Sequence, residues 1–325
     1  MNILKRLSAT DISLSGIFIA GFAILAATSG GILLTGQSIQ SFFIYLAIPI
    51  LIGLAQMVVL AIGQMNLAVG AIGGSTTAIM AVLMADMGVP VWLALLLGFL
   101  AATAMGAING ILVVVTGLNG FIITLGTMTI LLGLQFSLVR SFTIDSYSST
   151  LKKFGQQGIG PIPFVFLIAI VTAIVLAFFF QRTVAGRRLL ATGGNLFAAR
   201  LSGISNNRSI FLAHTISGML LGVAGIVTIS SLGGINRSIG GDWLLMSFAA
   251  PIIGGVLLSG GVVAIYGTVV AAMVIRLVDI ARAQYSLDPS LVNLTIGVVL
   301  LSTVALTEWR TRRTATLLQR RKVLE

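Results

Sequence analysis

Chemistry needs ionisable or hydrogen-bonding side chains, and they are scarce in this 325-residue chain. Only 8% of the residues are charged, there is one histidine, and there is no cysteine. The polar groups set within apolar stretches are amides, Gln56, Gln64, Asn66, Asn109, Asn119, Gln135 and Asn293, with His214 as the one imidazole. Burying such a group without a partner is costly, so each marks a helix contact or a solute contact. His214 alone reads as a helix-interface residue. No stretch holds the paired carboxylates or carboxylate–histidine chain through which a proton- or sodium-coupled carrier works. Asp279 stands three residues from both Arg276 and Arg282, the spacing of an i,i+3 ion pair on a helix. Scattered acids, a single imidazole and no thiol give no basis for a metal site. The phosphate-binding and hydrolytic patterns GxxxxGK[ST], GxSxG and HExxH are absent. What remains is a set of neutral hydrogen-bonding groups, none of them clustered for catalysis.

The elements that carry these groups are apolar. Hydrophobic residues make up 57% of the chain, and mean hydropathy is +1.10. Soluble domains are about a quarter charged, and a soluble surface could not be built from so few polar residues. Ten windows approach the roughly 20 apolar residues that cross a bilayer. They run 16–35, 42–62, 66–85, 91–116, 119–139, 162–181, 209–230, 243–259, 262–281 and 290–307. The expected fold is an all-α polytopic membrane protein of about ten transmembrane helices, with some spans broken or re-entrant. The basic start MNILKRL precedes an apolar stretch with no small-x-small cleavage site, so the first window reads as a retained span.

Charge orients the spans. The net charge of +11 on a soluble chain would suggest nucleic acid, but its placement argues for a lipid bilayer instead. Thirteen of the 19 basic residues lie before residue 8, in 182–208, or in the tail 308–325. Those three segments hold Asp11, Glu308 and Glu325 as their only nearby acids; all remaining residues hold six bases and five acids. Cytoplasmic loops are enriched in Lys and Arg, so both termini and 182–208 are placed inside the cell. Residues 1–325 form one transmembrane domain, with 308–325 as a basic cytoplasmic tail. Glycines spaced as Gly70-xxx-Gly74, Gly106-xxx-Gly110 and Gly218-xxx-Gly222 allow close helix approach and read as packing. The 11 methionines read as gap fillers.

The basic island within 182–208 contains GRRLLATGGNLFAARLSGI. Asn195 can cap a short helix LFAARLSG, Gly193 and Gly194 permit the turn into it, and Gly203 can end it. Such a helix suits a groove in a partner protein or the anionic headgroups of the membrane.

This segment resembles the cytoplasmic coupling segment, GR-x-x-x-A-x-GGN-x-x-AARLSGI, of the membrane subunits of bacterial ABC importers for simple sugars, the ribose, xylose, arabinose, galactose and autoinducer class. Three further stretches resemble that family in order. GQMNLAVGAIGG is similar to its GGIDLSVG segment, and GLNGFIITLGTMTILLGL to its P-x-FI-x-TLGT-M stretch. AAPIIGGVLLSGGVVAIYGT is similar to AA-x-x-IGG-x-x-LSGG-x-G-x-x-x-GT. The resemblance implies a permease subunit translocating a simple sugar, pentose- or ribose-like or a related polyol, by alternating access in the bacterial inner membrane. It implies a second permease copy or homologue, an extracytoplasmic sugar-binding protein, and a separate ATPase that uses ATP and Mg. This chain itself is expected to bind no cofactor and to be no enzyme. Carried over residue by residue, Gly193, Gly194, Asn195, Ala198, Ala199, Arg200, Leu201, Ser202 and Gly203 form the ATPase contact. Gln64, Asn66, Asn119, Phe121 and Thr124 are the candidate pathway residues. The chain departs from the pattern where Leu196 and Phe197 replace acids, Asn66 replaces an Asp, Ala68 a Ser, and Pro251 stands within a span, where it should kink or break the helix. A branched-chain amino-acid permease and a stand-alone secondary carrier are the alternative readings.

Overall fold

The computed structural model describes residues 9–139, 143–145 and 148–288, together with 290, 294, 295, 297, 298, 301 and 302. Twelve α-helices are formed among the described residues: Ala9–Thr28 (α1), Gly36–Leu60 (α2), Val69–Ala85 (α3), Val91–Thr116 (α4), Gly120–Leu138 (α5), Ser149–Gln156 (α6), Phe164–Arg182 (α7), Val184–Gly194 (α8), Leu196–Leu201 (α9), Asn206–Ser231 (α10), Trp243–Ile253 (α11) and Ile265–Gln284 (α12). Six of these, α1, α2, α4, α5, α7 and α10, are long and apolar enough to cross a membrane. The chain is thus an all-α polytopic membrane protein. Two antiparallel ribbons qualify the all-α expectation. Thr143–Asp145 (β1) pairs with Gly234–Asn236 (β4), and Gly158–Ile159 (β2) with Ile162–Pro163 (β3).

A helix apolar on every face belongs in the middle of a bundle, and α2 takes that place. Its residues 49–60 are all buried, enclosed by α7, α10, α11 and α12. Glycine sets the close crossing between α4 and α10. A Cβ on Gly106 would meet Gly218 Cα at 2.8 Å, and one on Gly110 would meet Phe211 Cα at 2.9 Å. Gly222 is similarly tight against Phe99 Cα at 3.2 Å. The small-xxx-small pairs on these two helices are therefore packing devices, as their spacing implies. Gly70, Gly73 and Gly74 form a slot on α3 that receives Ile239, Gly240 and the Trp243 ring.

Contacts between helix ends show which ends share a side. Ser15 Oγ lies 3.0 Å from Tyr266 Oη, and Thr28 Oγ1 accepts from Gln284 Nε2 and Tyr285 Oη, both at 3.0 Å. So α1 and α12 run parallel. At the end marked by Thr28, Gln40 Nε2 donates to Gln156 O. One apolar cluster there joins Met84, Ala94, Val139, Ile144, Leu151, Ile229 and Ile235, which places β1, β4, α6 and the end of α3 together.

Several expected boundaries move for local reasons. The first window, 16–35, is helix only from Ala9 to Thr28, because Gly30 and Gly31 adopt φ of 60° and 87° and stop it. The window 243–259 shrinks to the 11 residues of α11, about 16 Å of helix and half of a roughly 30 Å apolar slab. Pro251 does not break it. Being in the last turn, it is followed by Gly255 at φ 98°, and the chain leaves the helix there. The Arg276–Asp279 pair forms as expected, at 3.6 Å, with the Arg276 guanidinium also 5.1 Å from the centre of the Tyr45 ring. The tail 308–325, Lys5, Arg6 and Asn293 lie outside the described residues, as does most of 290–307.

Two backbones in contact cannot yield to a side chain, and overpacking typically costs about 1–3 kcal/mol. Gly218→Leu should lower the thermal midpoint of the detergent-purified protein by several degrees, and Gly126→Leu, facing open space on α5, should leave it within about one degree.

Candidate functional site

The basic island is two helices, not one. Thr183 caps α8, its Oγ1 accepting from Gly186 N at 3.0 Å. Gly186 lets α8 fold back on α7, since a Cβ there would meet Phe180 Cα at 2.7 Å. The break falls on Asn195 alone, at φ −161° and ψ 107°. Its Oδ1 accepts from Ala198 N at 2.9 Å and so caps α9, the role its position in the sequence suggests. Gly203, at φ 76°, ends α9, with Ile204 N donating to Ala199 O at 3.0 Å. Ser202 Oγ donates to Ala198 O, and Asn206 Nδ2 to Leu196 O. Within this frame Ala199 is buried against the bundle, whereas Phe197 and Leu201, one turn apart, are 72% and 75% exposed. Arg187, Arg188, Arg200 and Arg208 are exposed around them.

Gly193 and Gly194 do not make the expected turn. α8 continues through both, and neither has a positive φ. Their missing side chains serve close approach instead. Gly261 N donates to Ala61 O at 2.9 Å, joining the turn after α2 to the loop between α11 and α12. A Cβ on Gly193 would strike Ala61 O and come within 2.6 Å of Gly261 N. One on Gly260 would lie 2.9 Å from both Gly63 Cα and Gly193 O. Gly63, Gly260 and Gly261 all adopt positive φ, 70°, 88° and 81°, which only glycine does without strain. Backbone of the island thus touches backbone of two helix breaks with no side chain between. Sequence reading missed this junction; the S-G-G run at 259–261 was its only signal.

Of the five pathway candidates, the structure brings four to one place, the break between α2 and α3. Asn66 and Thr124 are buried there. Asn66 Oδ1 accepts from Ala68 N at 2.9 Å and its Nδ2 donates to Ser217 Oγ at 3.3 Å. Thr124 Oγ1 accepts from Leu67 N at 2.9 Å and donates to Gly120 O at 2.6 Å. The Gln56 amide, in the orientation that satisfies both its ends, donates to Asn66 O at 3.0 Å and accepts from Asn66 N at 3.3 Å. Gln64 Oε1 lies 3.4 Å from His214 Nε2 and packs on Gly120, where a Cβ would meet it at 2.6 Å. Asn119 caps α5 through Phe121 N at 3.0 Å. Phe121 stands apart with an exposed ring. Most of these amides and hydroxyls therefore close backbone hydrogen bonds at broken helix ends.

A family model described as the permease component of branched-chain amino acid transport systems matches residues 38–304. The D-allose transport system permease protein of Escherichia coli (strain K12) is 32% identical over 257 residues, 79% of each chain. The autoinducer 2 import system permease protein of Enterobacter sp. (strain 638) is 30% identical over 308 residues, 93% of this chain and 87% of that one. The fructose import permease protein of Rhizobium meliloti is 29% identical over 299 residues, 88% of this chain and 83% of its own length. This chain belongs to the ABC-importer permease family. No solved structure matches it. As a permease it is a transport subunit and not an enzyme, a multi-pass protein of the inner membrane.

The glycine junction of the permease makes a sharp contrast testable. Gly193→Val should destabilise the purified protein by about 1–3 kcal/mol in thermal melts. Gly194→Ala, whose Cβ would meet nothing within 4 Å, should leave the midpoint unchanged or slightly raised.

Proposed function

We propose that this permease is the membrane-spanning subunit of an ATP-driven importer for a simple sugar, a pentose- or ribose-like monosaccharide or related polyol, handed over by an extracytoplasmic binding protein. The observation that carries the ATP-driven part is α9, a capped helix holding Phe197 and Leu201 away from the bundle with Arg200 beside them. Apolar side chains that protrude from a basic cytoplasmic segment are costly unless a groove covers them. The groove belongs to the ATPase, which binds ATP and Mg, and the contact runs from Gly193 to Gly203 within 182–208. The sugar is supported by the allose, fructose and autoinducer names of the relatives and by the neutral, amide-rich polar set. The alternative solute, a branched-chain amino acid, is favoured only by the description of the family model, and ATP-dependent uptake of leucine in place of sugar would establish it.

In this reading the chain makes about ten crossings, with both termini, 182–208 and the tail 308–325 inside. Two copies, or this chain and a homologue, enclose the pathway. Gln64, Asn119 and Phe121 line its inner end, and Asn66 and Thr124 shape it from behind. ATP-driven closure of the ATPase moves α9, and α8 relays that movement through Gly193 to the breaks after α2 and α11.

Arg200→Glu and Phe197→Glu should each lower recovery of the ATPase with the tagged permease at least fivefold. Unchanged recovery and uptake in both variants would remove α9 from the contact. Cysteines at Ser202 and Ser149 should react with an impermeant thiol reagent from opposite sides, Ser202 from the cytoplasm. Labelling of both from one side would break the topology.

A further inference from the structure

The stretch between β4 and α11 is polar at a depth where the outside of a bundle is normally apolar. It enters from the end marked by β1, since Asn236 pairs with Thr143. It then turns inward along α5 and α3. Gln135 Nε2 donates to Arg237 O at 3.0 Å and to Ile239 O at 2.8 Å. Gly240 rests on Gly70, and a Cβ on Gly73 would meet Trp243 Cε3 at 2.9 Å. Gly73 is twelve residues before Ala85, where α3 ends beside β1 and α6, the outer end in the topology proposed above; that is about 18 Å along the helix. Asp242, next to Trp243, therefore sits well inside an apolar slab roughly 30 Å thick.

At this depth Asp242 is exposed, as are Ser238 and Asn236 nearer the mouth. Asp242 occupies the cap position of α11 yet makes no capping hydrogen bond, and among the described residues it has no ion-pair partner. The neighbouring α5, bound to this stretch through Gln135, is mostly exposed, with Gly126, Thr129, Gly133 and Ser137 set among Ile122, Leu125, Ile130, Leu134 and Phe136. A face turned to acyl chains does not carry an unpaired carboxylate, because nothing there solvates it. Water does.

We propose that Asp242, with Ser238 and Asn236 above it, lines a water-filled translocation pathway and accepts hydrogen bonds from the hydroxyl groups of a neutral polyhydroxylated solute. A carboxylate is acceptor-only and binds hydroxyl donors more strongly than an amide does, so a solute with adjacent hydroxyls gains where an apolar one does not. The solute class rests on the sugar-importer reading above; the wet passage does not.

The chain has no native cysteine, which allows single-cysteine reporters in the assembled importer. Asp242→Cys and Ser238→Cys, in vesicles with the outer face exposed, should react with a charged methanethiosulfonate reagent at least tenfold faster than Val175→Cys on the outer face of α7. Equally slow reaction at all three positions overturns the passage. Asp242→Asn, which keeps size and removes charge, should cut uptake of D-ribose or D-allose at least fivefold with solute-independent ATP hydrolysis retained. Undiminished uptake overturns the acceptor role. A wild-type importer that accumulates neither sugar counts against the proposed function, and the labelling contrast then still decides for or against the passage.

Discussion

A helix broken inside a bilayer leaves backbone N–H and C=O groups where no water reaches them, and each such group costs several kcal/mol. Among the described residues, two such breaks, after α2 and after α11, lie against each other, and the rest of the structure depends on how their groups are satisfied. At the first break the answer is side chains. The Gln56 amide bonds both backbone groups of Asn66, Asn66 bonds Ala68 N, and Thr124 bonds Leu67 N. α2 and α5 are thereby tied to the turn before α3, and the backbone donors of Asn66, Leu67 and Ala68 each find a side-chain acceptor. The polar residues within the spans are held where they are by this need before any solute is considered.

At the second break the answer is backbone against backbone. Gly261 N donates to Ala61 O, so each break supplies a partner for the other. Glycine at 63, 260 and 261 permits the positive φ that this requires. Gly193 then fits against the same carbonyl. A contact made without side chains has little room to slip. Close-packed interfaces shift between discrete arrangements instead of deforming smoothly, so a displacement of α8 must be matched by the two loops. Side-chain contacts of flexible residues would absorb such a displacement by changing rotamer. This is the physical reason for a run of glycines where the island meets the bundle, and it differs from the turn-making role that a Gly-Gly pair ordinarily suggests.

Much of this was legible in the residues. The window 91–116 coincides with α4 because Pro90 and Gly117 punctuate it on both sides, and Gly117 takes a left-handed φ of 68°. The cap at Asn195 and the stop at Gly203 follow from residue type and spacing alone. The Gly106 and Gly218 pairs announced a close crossing, though not which helices would meet. Other features depend on tertiary placement and leave no local trace. Window 16–35 fails at its end because apolar ILL after Gly30–Gly31 scores like helix, while two positive φ values redirect the chain. Asn66 and Thr124 read as lining from sequence because an amide or a hydroxyl looks the same whether it meets a solute or a backbone. Asp242 is not among the pathway candidates read from sequence, because GGDWLLMSFAA lacks an acid where the resembled family commonly has one and a loop acid is ordinary unless its depth is known; depth comes from Trp243 lying on Gly73.

The division between sealing and facing follows from one comparison. A polar side chain whose donors and acceptors are used up by the backbone offers a passing solute little, and freeing it would reopen the break it closes. Asn66 and Thr124 are of that kind. A side chain that is exposed and unused at the same depth can exchange its water for a hydroxyl group at small net cost, since hydrogen bonds are traded one for one. Asp242 is of that kind, and Ser238 and Asn236 stand between it and the outer surface. For a neutral solute, such exchange suffices for passage, because tight binding within the permease would slow release. Selectivity is better placed in a separate binding protein, and the permease keeps what a passage needs: a wet, weakly binding wall on one face, and rigid glycine contacts that move with α8 on the other.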